Sequence, residues 1–320
     1  MNDIKTAFVF GGQGAQKPGM GKDLCDAFPA FKAVFDRADR ALGRPISRVC
    51  FEELRDENGC LELDKTRNCQ PAVLTMGLAC LGIVRGLGIR PCCAAGLSLG
   101  EYSALAASGA LDFETALRLV EVRGALMDAC CAGTPGVMSA ITALSREKTE
   151  EACQMARSDG AGYVACANYN TEGQIVIGGG PAAVAAAEAY ALKLGARRAA
   201  RLNVGGAFHT ELMRPAAEAF TAYLEAADIK ETAFPVYANV TGEPYGAPDE
   251  IGPALIRHIY SPVEWERIMR RMIADGVTHV IELGCGRTLS AFFSRTDKGL
   301  KVFSAGDLSG FESVKAAFGG

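Results

Sequence analysis

Short apolar runs alternate along the chain with longer stretches whose apolar residues recur every three or four positions. Residues 6–10 form a short apolar run that stops at Gly11-Gly12, which reads as a buried strand. Helices are predicted over 27–41 and 70–87, a strand over 92–95, a helix immediately after it, and a further helix over 113–130. Strand and helix in this alternation predict an α/β fold with a parallel sheet covered by helices.

The rhythm changes at Gly133. A strand over 137–143, a helix over 146–158, strands over 162–167 and 174–177, a helix over 182–194 and a strand over 199–204 follow in order. That β-α-β-β-α-β order predicts a ferredoxin-like unit inserted in the chain. From Gly205 the first rhythm resumes, with helices over 211–226, 254–260, 263–275 and 289–294 and strands over 235–239, 277–282 and near Val302. Two parts are therefore expected: a core from residues 1–132 and 205–320, and a small subdomain over 133–204.

The 320 residues carry a net charge of −4, which argues against a nucleic-acid binder with its basic footprint. No signal-peptide pattern is present and no apolar run reads as long enough to cross a bilayer, so a cytoplasmic protein is expected. Twelve cysteines are scattered with no C-x-x-C pair, which points to buried free thiols and away from zinc or disulfides.

The most informative chemistry is Gly96-Leu97-Ser98-Leu99-Gly100. A Gly-x-Ser-x-Gly pattern between a strand and a helix is a nucleophile elbow, with the serine at the helix N-terminus where negative charge is favoured. Read alone, the same pentapeptide is also a glycine-bounded turn with an N-capping serine. A serine nucleophile needs a base, and the chain has three histidines. His279 falls inside an apolar strand and His258 inside a helical segment. His209 follows Val204-Gly205-Gly206-Ala207-Phe208 in a loop after a strand, where open α/β sheets place their sites. The Gly12-Gln13-Gly14 turn lacks the third glycine of a dinucleotide fingerprint, and Met20 stands where a P-loop needs lysine. Arg123 sits in the middle of an apolar stripe on the 113–130 helix, among Ala116, Leu119, Val120, Leu126, Met127 and Cys130. It is either one half of a structural ion pair, a snorkelling side chain, or a guanidinium awaiting a substrate carboxylate.

Taken together, Gly12-Gln13-Gly14-Ala15-Gln16, Gly96–Tyr102, Val122-Arg123-Gly124, Asn168-Tyr169-Asn170, Gly206-Ala207-Phe208-His209 and Tyr260–Trp265 resemble the malonyl-CoA:acyl carrier protein transacylase family in order and spacing. The resemblance implies an α/β-hydrolase-like core with an inserted ferredoxin-like subdomain. It implies malonyl transfer from malonyl-CoA to the phosphopantetheine thiol of acyl carrier protein by a ping-pong route, with CoA as a substrate and no metal or bound cofactor. Residue by residue, it implies Ser98 as the acylated nucleophile and His209 as its base, with the His258 main-chain carbonyl holding the His209 ring. The Gln13 and Leu99 N–H groups would form an oxyanion hole, and Arg123 would pair with the malonyl carboxylate. Phe208 would restrict a 2-methyl branch, and Asn168 would lie near the site. The family often has histidine where this chain has Leu97. A serine hydrolase or thioesterase, releasing free acid to water, is one alternative, and a non-catalytic scaffold or carrier-protein-binding module is another. Because carrier proteins are acidic, docking calls for a local basic patch, and Arg197, Arg198 and Arg201 are the candidates.

Overall fold

The structure is a computed structural model describing residues 4–319. Among the described residues, nine strands form two sheets: β1 Thr6–Phe10, β2 Cys93–Gly96, β3 Val137–Thr142, β4 Val164–Thr171, β5 Gln174–Gly179, β6 Arg198–Arg201, β7 Val236–Tyr237, β8 His279–Leu283 and β9 Lys301–Ala305. The first sheet is parallel throughout, in the order β7-β2-β1-β8-β9. The second is antiparallel, in the order β4-β5-β3-β6.

Every residue of β1 is buried, as expected of a central strand covered on both faces. Its side chains alternate between two cores. Phe8 and Phe10 join the larger cluster with Phe31, Phe35 and Tyr102, while Ala7 and Val9 join Tyr237, Trp265 and Phe293 on the opposite face. The antiparallel sheet has its own core, in which Ile141, Ile175 and Ile177 pack on the helices Arg146–Ser158 and Pro181–Lys193. Its edge strand reaches the rest of the molecule through Tyr169 N–H to Val263 O (2.8 Å) and Val263 N–H to Ala167 O (2.9 Å).

The short helices Lys22–Ala27 and Ile46–Phe51 were not expected, and three further elements differ from the sequence expectation. The helix Thr66–Gly86 is, among the described residues, the one helix long and apolar enough to cross a membrane, where no such run was expected. Most of it is buried in the protein core against the helix Phe113–Gly133. Strand β4 continues through Asn168-Tyr169-Asn170, residues expected to lie beyond its end, because pairing with β5 and Val263 overrides their turn preference. A C-terminal helix, Leu308–Phe318, was not anticipated, and Asp307 caps it by accepting the Gly310 N–H.

Candidate active site

Strand β2 ends in a turn that only glycine can flank. A Cβ on Gly96 would lie 1.8 Å from Gly100 O, and one on Gly100 would lie 2.3 Å from Phe10 O. Between them Ser98 is forced to φ 54°. His209 takes φ 59° in its own loop. Non-glycine residues in the left-handed region are costly and cluster at functional sites.

The two strained residues meet. Ser98 Oγ lies 2.8 Å from His209 Nε2, and His209 Nδ1 lies 2.8 Å from the main-chain oxygen of His258. A carbonyl can only accept, so Nδ1 carries the proton and Nε2 is left to accept the Ser98 hydroxyl. Burial, and then the neighbouring His258 and Arg123, hold the His209 pKa well below the usual histidine value; the carbonyl bond pulls weakly the other way. The ring is therefore neutral at neutral pH, the state a general base needs.

The His258 side chain also lies against the base. Its ring is buried and stacks on His209, with centroids 4.8 Å apart and planes 18° apart. Burial lowers its pKa as well, while Glu101 opposes that shift.

Arg123 is 1% exposed. Its Nη1 donates to Gln70 Oε1 (2.7 Å) and its Nη2 to Ser98 Oγ (3.2 Å), its Nε has no partner, and Tyr102 lies under the guanidinium at 5.8 Å. Among the described residues it makes no ion pair with a carboxylate, which removes the structural-pair alternative. A buried cation held only by neutral groups is matched to an incoming anion.

Ser98, His209, Arg123 and Gln70 line one cavity of about 540 Å³ between the two sheets. Gln13, Leu99, Asn168 and Phe208 line it too, as does Leu97. The Gln13 and Leu99 main-chain N–H groups donate to no protein acceptor among the described residues. Asn170 and Gln174 face the same space, and Asn170 Oδ1 and Gln174 Oε1 are buried without a donor. A hollow of about 600 Å³ elsewhere, between Arg44 and Glu121, contains neither serine nor histidine.

Sequence reasoning missed Gln70, Glu101, Asn239, Asn170 and Gln174 as site residues. Asn239 is fully buried, accepts the Ser98 N–H (2.9 Å) and donates to Gly96 O (2.7 Å). Glu101 stands inside the elbow motif itself, so its position offered a signal; the others are joined to the site only by long-range contacts. Arg201 pairs with Glu188 (2.7 Å), whereas Arg197 and Arg198 are exposed.

Known proteins match the chain over nearly its whole length. Residues 7–313 match the family model for the acyl transferase domain. A malonyl CoA-acyl carrier protein transacylase of Bacillus subtilis is 41% identical over 303 residues, covering 95% of this chain and 94% of that protein. The solved structure of a malonyl-transacylase in complex with a type II PKS acyl-carrier protein superposes with a TM-score of 0.92 at 35% identity, covering 98% of this chain and 99% of that one. The malonyl CoA-acyl carrier protein transacylase structure from Streptococcus pneumoniae gives a TM-score of 0.91 at 37% identity, covering 98% and 100%. The chain belongs to the acyl transferase family, among the malonyl CoA-acyl carrier protein transacylases.

Proposed function

We propose that this protein transfers a malonyl group from malonyl-CoA to the phosphopantetheine thiol of acyl carrier protein through a malonyl-Ser98 intermediate. The observation that carries the reading is the convergence of Ser98 Oγ, His209 Nε2 and an Arg123 guanidinium with no carboxylate partner in one cavity. In the first half-reaction the Ser98 proton passes to His209 Nε2 as Oγ attacks the thioester carbonyl. The developing oxyanion is received by the unengaged N–H groups of Gln13 and Leu99, where each such donor contributes about 3–4 kcal/mol. Collapse expels the CoA thiolate, which takes the proton from His209. The carrier thiol then repeats the sequence on the malonyl ester.

Arg123 holds the free carboxylate of the malonyl group, and Phe208, lining the cavity, limits room beside its methylene. Asn168 is 8% exposed and borders the same space, and the unpartnered amide oxygens of Asn170 and Gln174 suit the amide N–H groups of a pantetheine arm. CoA thioester is a substrate, and the route uses no metal or bound cofactor. The parallel-sheet part is read as an α/β-hydrolase-like core over 1–132 and 205–320, with 133–204 as a ferredoxin-like subdomain; the strand order β4-β5-β3-β6 supports the latter. A cytoplasmic location accords with the chemistry of both substrates.

Intact-mass analysis tests the reading. Mixing with malonyl-CoA should add one malonyl group, which acyl carrier protein then removes, and Ser98→Ala should fold and gain no adduct. An undiminished adduct on Ser98→Ala rules the assignment out.

A further inference from the structure

We infer that Glu101 is a positioning residue that keeps nucleophile and base in register, acting on Ser98 through Asn239 and on His209 through His258. This rests on the serine–histidine reading above. Glu101 lies in the first turn of the helix Gly100–Ser108, yet its side chain turns inward and is 1% exposed. A carboxylate so deeply buried is costly unless both oxygens are engaged. Oε1 accepts the Asn239 N–H (2.9 Å) and the Tyr245 O–H (2.7 Å). Oε2 lies 2.7 Å from His258 Nδ1, within ion-pair distance but out of hydrogen-bond alignment.

Two of these three contacts, to Asn239 and to His258, each lead to one half of the reactive pair. Asn239, held by Glu101 at its main chain, uses its side chain on two backbone groups of the elbow, Ser98 N–H and Gly96 O. That brace opposes relaxation of Ser98 from φ 54°. His258, whose ring nitrogen Nδ1 lies within ion-pair distance of Glu101, presents the carbonyl that accepts His209 Nδ1–H and stacks its imidazole on the His209 ring. A Ser-His-Asp arrangement puts the carboxylate directly on the base. Here a neutral carbonyl takes that place, and the carboxylate stands one ring further off. From there its charge still favours the imidazolium that forms on His209 when Ser98 is deprotonated. One buried carboxylate thus serves two arms that are 138 and 157 residues away along the chain.

Glu101→Gln keeps the shape and removes the charge. Three quantities are measured: the first-turnover rate of CoA release from malonyl-CoA, the KM for malonyl-CoA, and the rate at which a fluorophosphonate labels Ser98. Acylation and labelling should both slow by about 10- to 100-fold while KM stays unchanged. His258→Gln leaves the main-chain carbonyl in place and removes the ring; it should slow both rates as well. Adding Glu101→Gln to it should cost less than in the wild type, because part of the effect of Glu101 passes through that ring. Wild-type rates in Glu101→Gln, or a rise in KM alone, overturn the inference. If Glu101→Gln does not fold, His258→Gln decides, and full labelling speed in that variant overturns the arm to the base. A wild-type protein that takes up no malonyl group contradicts the serine reading instead, so the two failures are distinguishable.

Discussion

The two walls of the cavity differ in how far their polar groups are already committed. On the parallel-sheet wall, Ser98 N–H, His209 Nδ1 and both ends of the Asn239 amide are bonded within the protein, while the Gln13 and Leu99 N–H groups stand unengaged among the described residues. On the antiparallel-sheet wall, Asn170 Oδ1 and Gln174 Oε1 have no donor. The first wall is preorganised for a reaction, with its cost met by folding. The second is left incomplete for something that arrives. Arg123 belongs to the first wall by sequence and burial but to the second by behaviour, because its guanidinium has no carboxylate partner.

The contrast can be broken most sharply at the base. His209→Ala should slow acyl-enzyme formation by about 10²- to 10⁴-fold, the range of general-base catalysis, with rapid-quench mass analysis as the readout. A variant within a few-fold of wild type would leave the committed wall without its proton acceptor.

Arg123→Ala probes the residue that straddles both walls. Losing charge-assisted hydrogen bonds of about 1.5–3 kcal/mol each should erode the preference for malonyl-CoA over acetyl-CoA by roughly 100-fold. Competition between the two thioesters measures it. An unchanged ratio would make the arginine a purely structural cation.

The pH profile sharpens the picture of a neutral dyad. The His209 pKa is pushed below its ordinary value of 6.5, chiefly by burial, so acylation should be flat from pH 6.5 upward and fall only well below it. Stability carries the same sign. The unfolded chain gains protons at His209 and His258 near pH 6.5 while the folded rings resist, so stability present above that pH is lost as acid approaches the folded values. A rate rising steadily from pH 7 to 9 would contradict the assignment.

The smallest effect is expected at the periphery. Reversing Arg197 and Arg198 to Glu should weaken transfer to acyl carrier protein a few-fold at low salt and leave acylation by malonyl-CoA intact, since exposed charges steer encounter and are screened. Equal change in both half-reactions would argue against docking there.

The same contrast governs what could be read from sequence. The elbow is legible because its constraint is local: Gly96 and Gly100 are required by atoms within a few residues or on the adjoining strand. Arg123 is legible as a misfit in an apolar stripe. Asn239 and Gln70 are not, because each becomes functional only through contacts 141 and 53 residues away. Asn170 belongs to a motif that carries the family resemblance, yet its free acceptor follows from β4 running on past the expected end, a consequence of tertiary pairing. The family resemblance points only to the His258 main-chain carbonyl. The stacking of the ring on His209 and its contact with Glu101 depend on packing that no periodicity records.

The most direct test of the central claim, that the cavity passes an acyl group between thiols and does not hydrolyse it, is the fate of preformed malonyl-enzyme in a single turnover. Malonyl-enzyme is isolated and divided between buffer alone and acyl carrier protein bearing its phosphopantetheine thiol, and malonyl-carrier and free malonate are quantified over time. The account predicts rapid appearance of malonyl-carrier and a far slower release of malonate in buffer. Malonate released at the same fast rate with or without carrier would contradict it and make the protein a thioesterase.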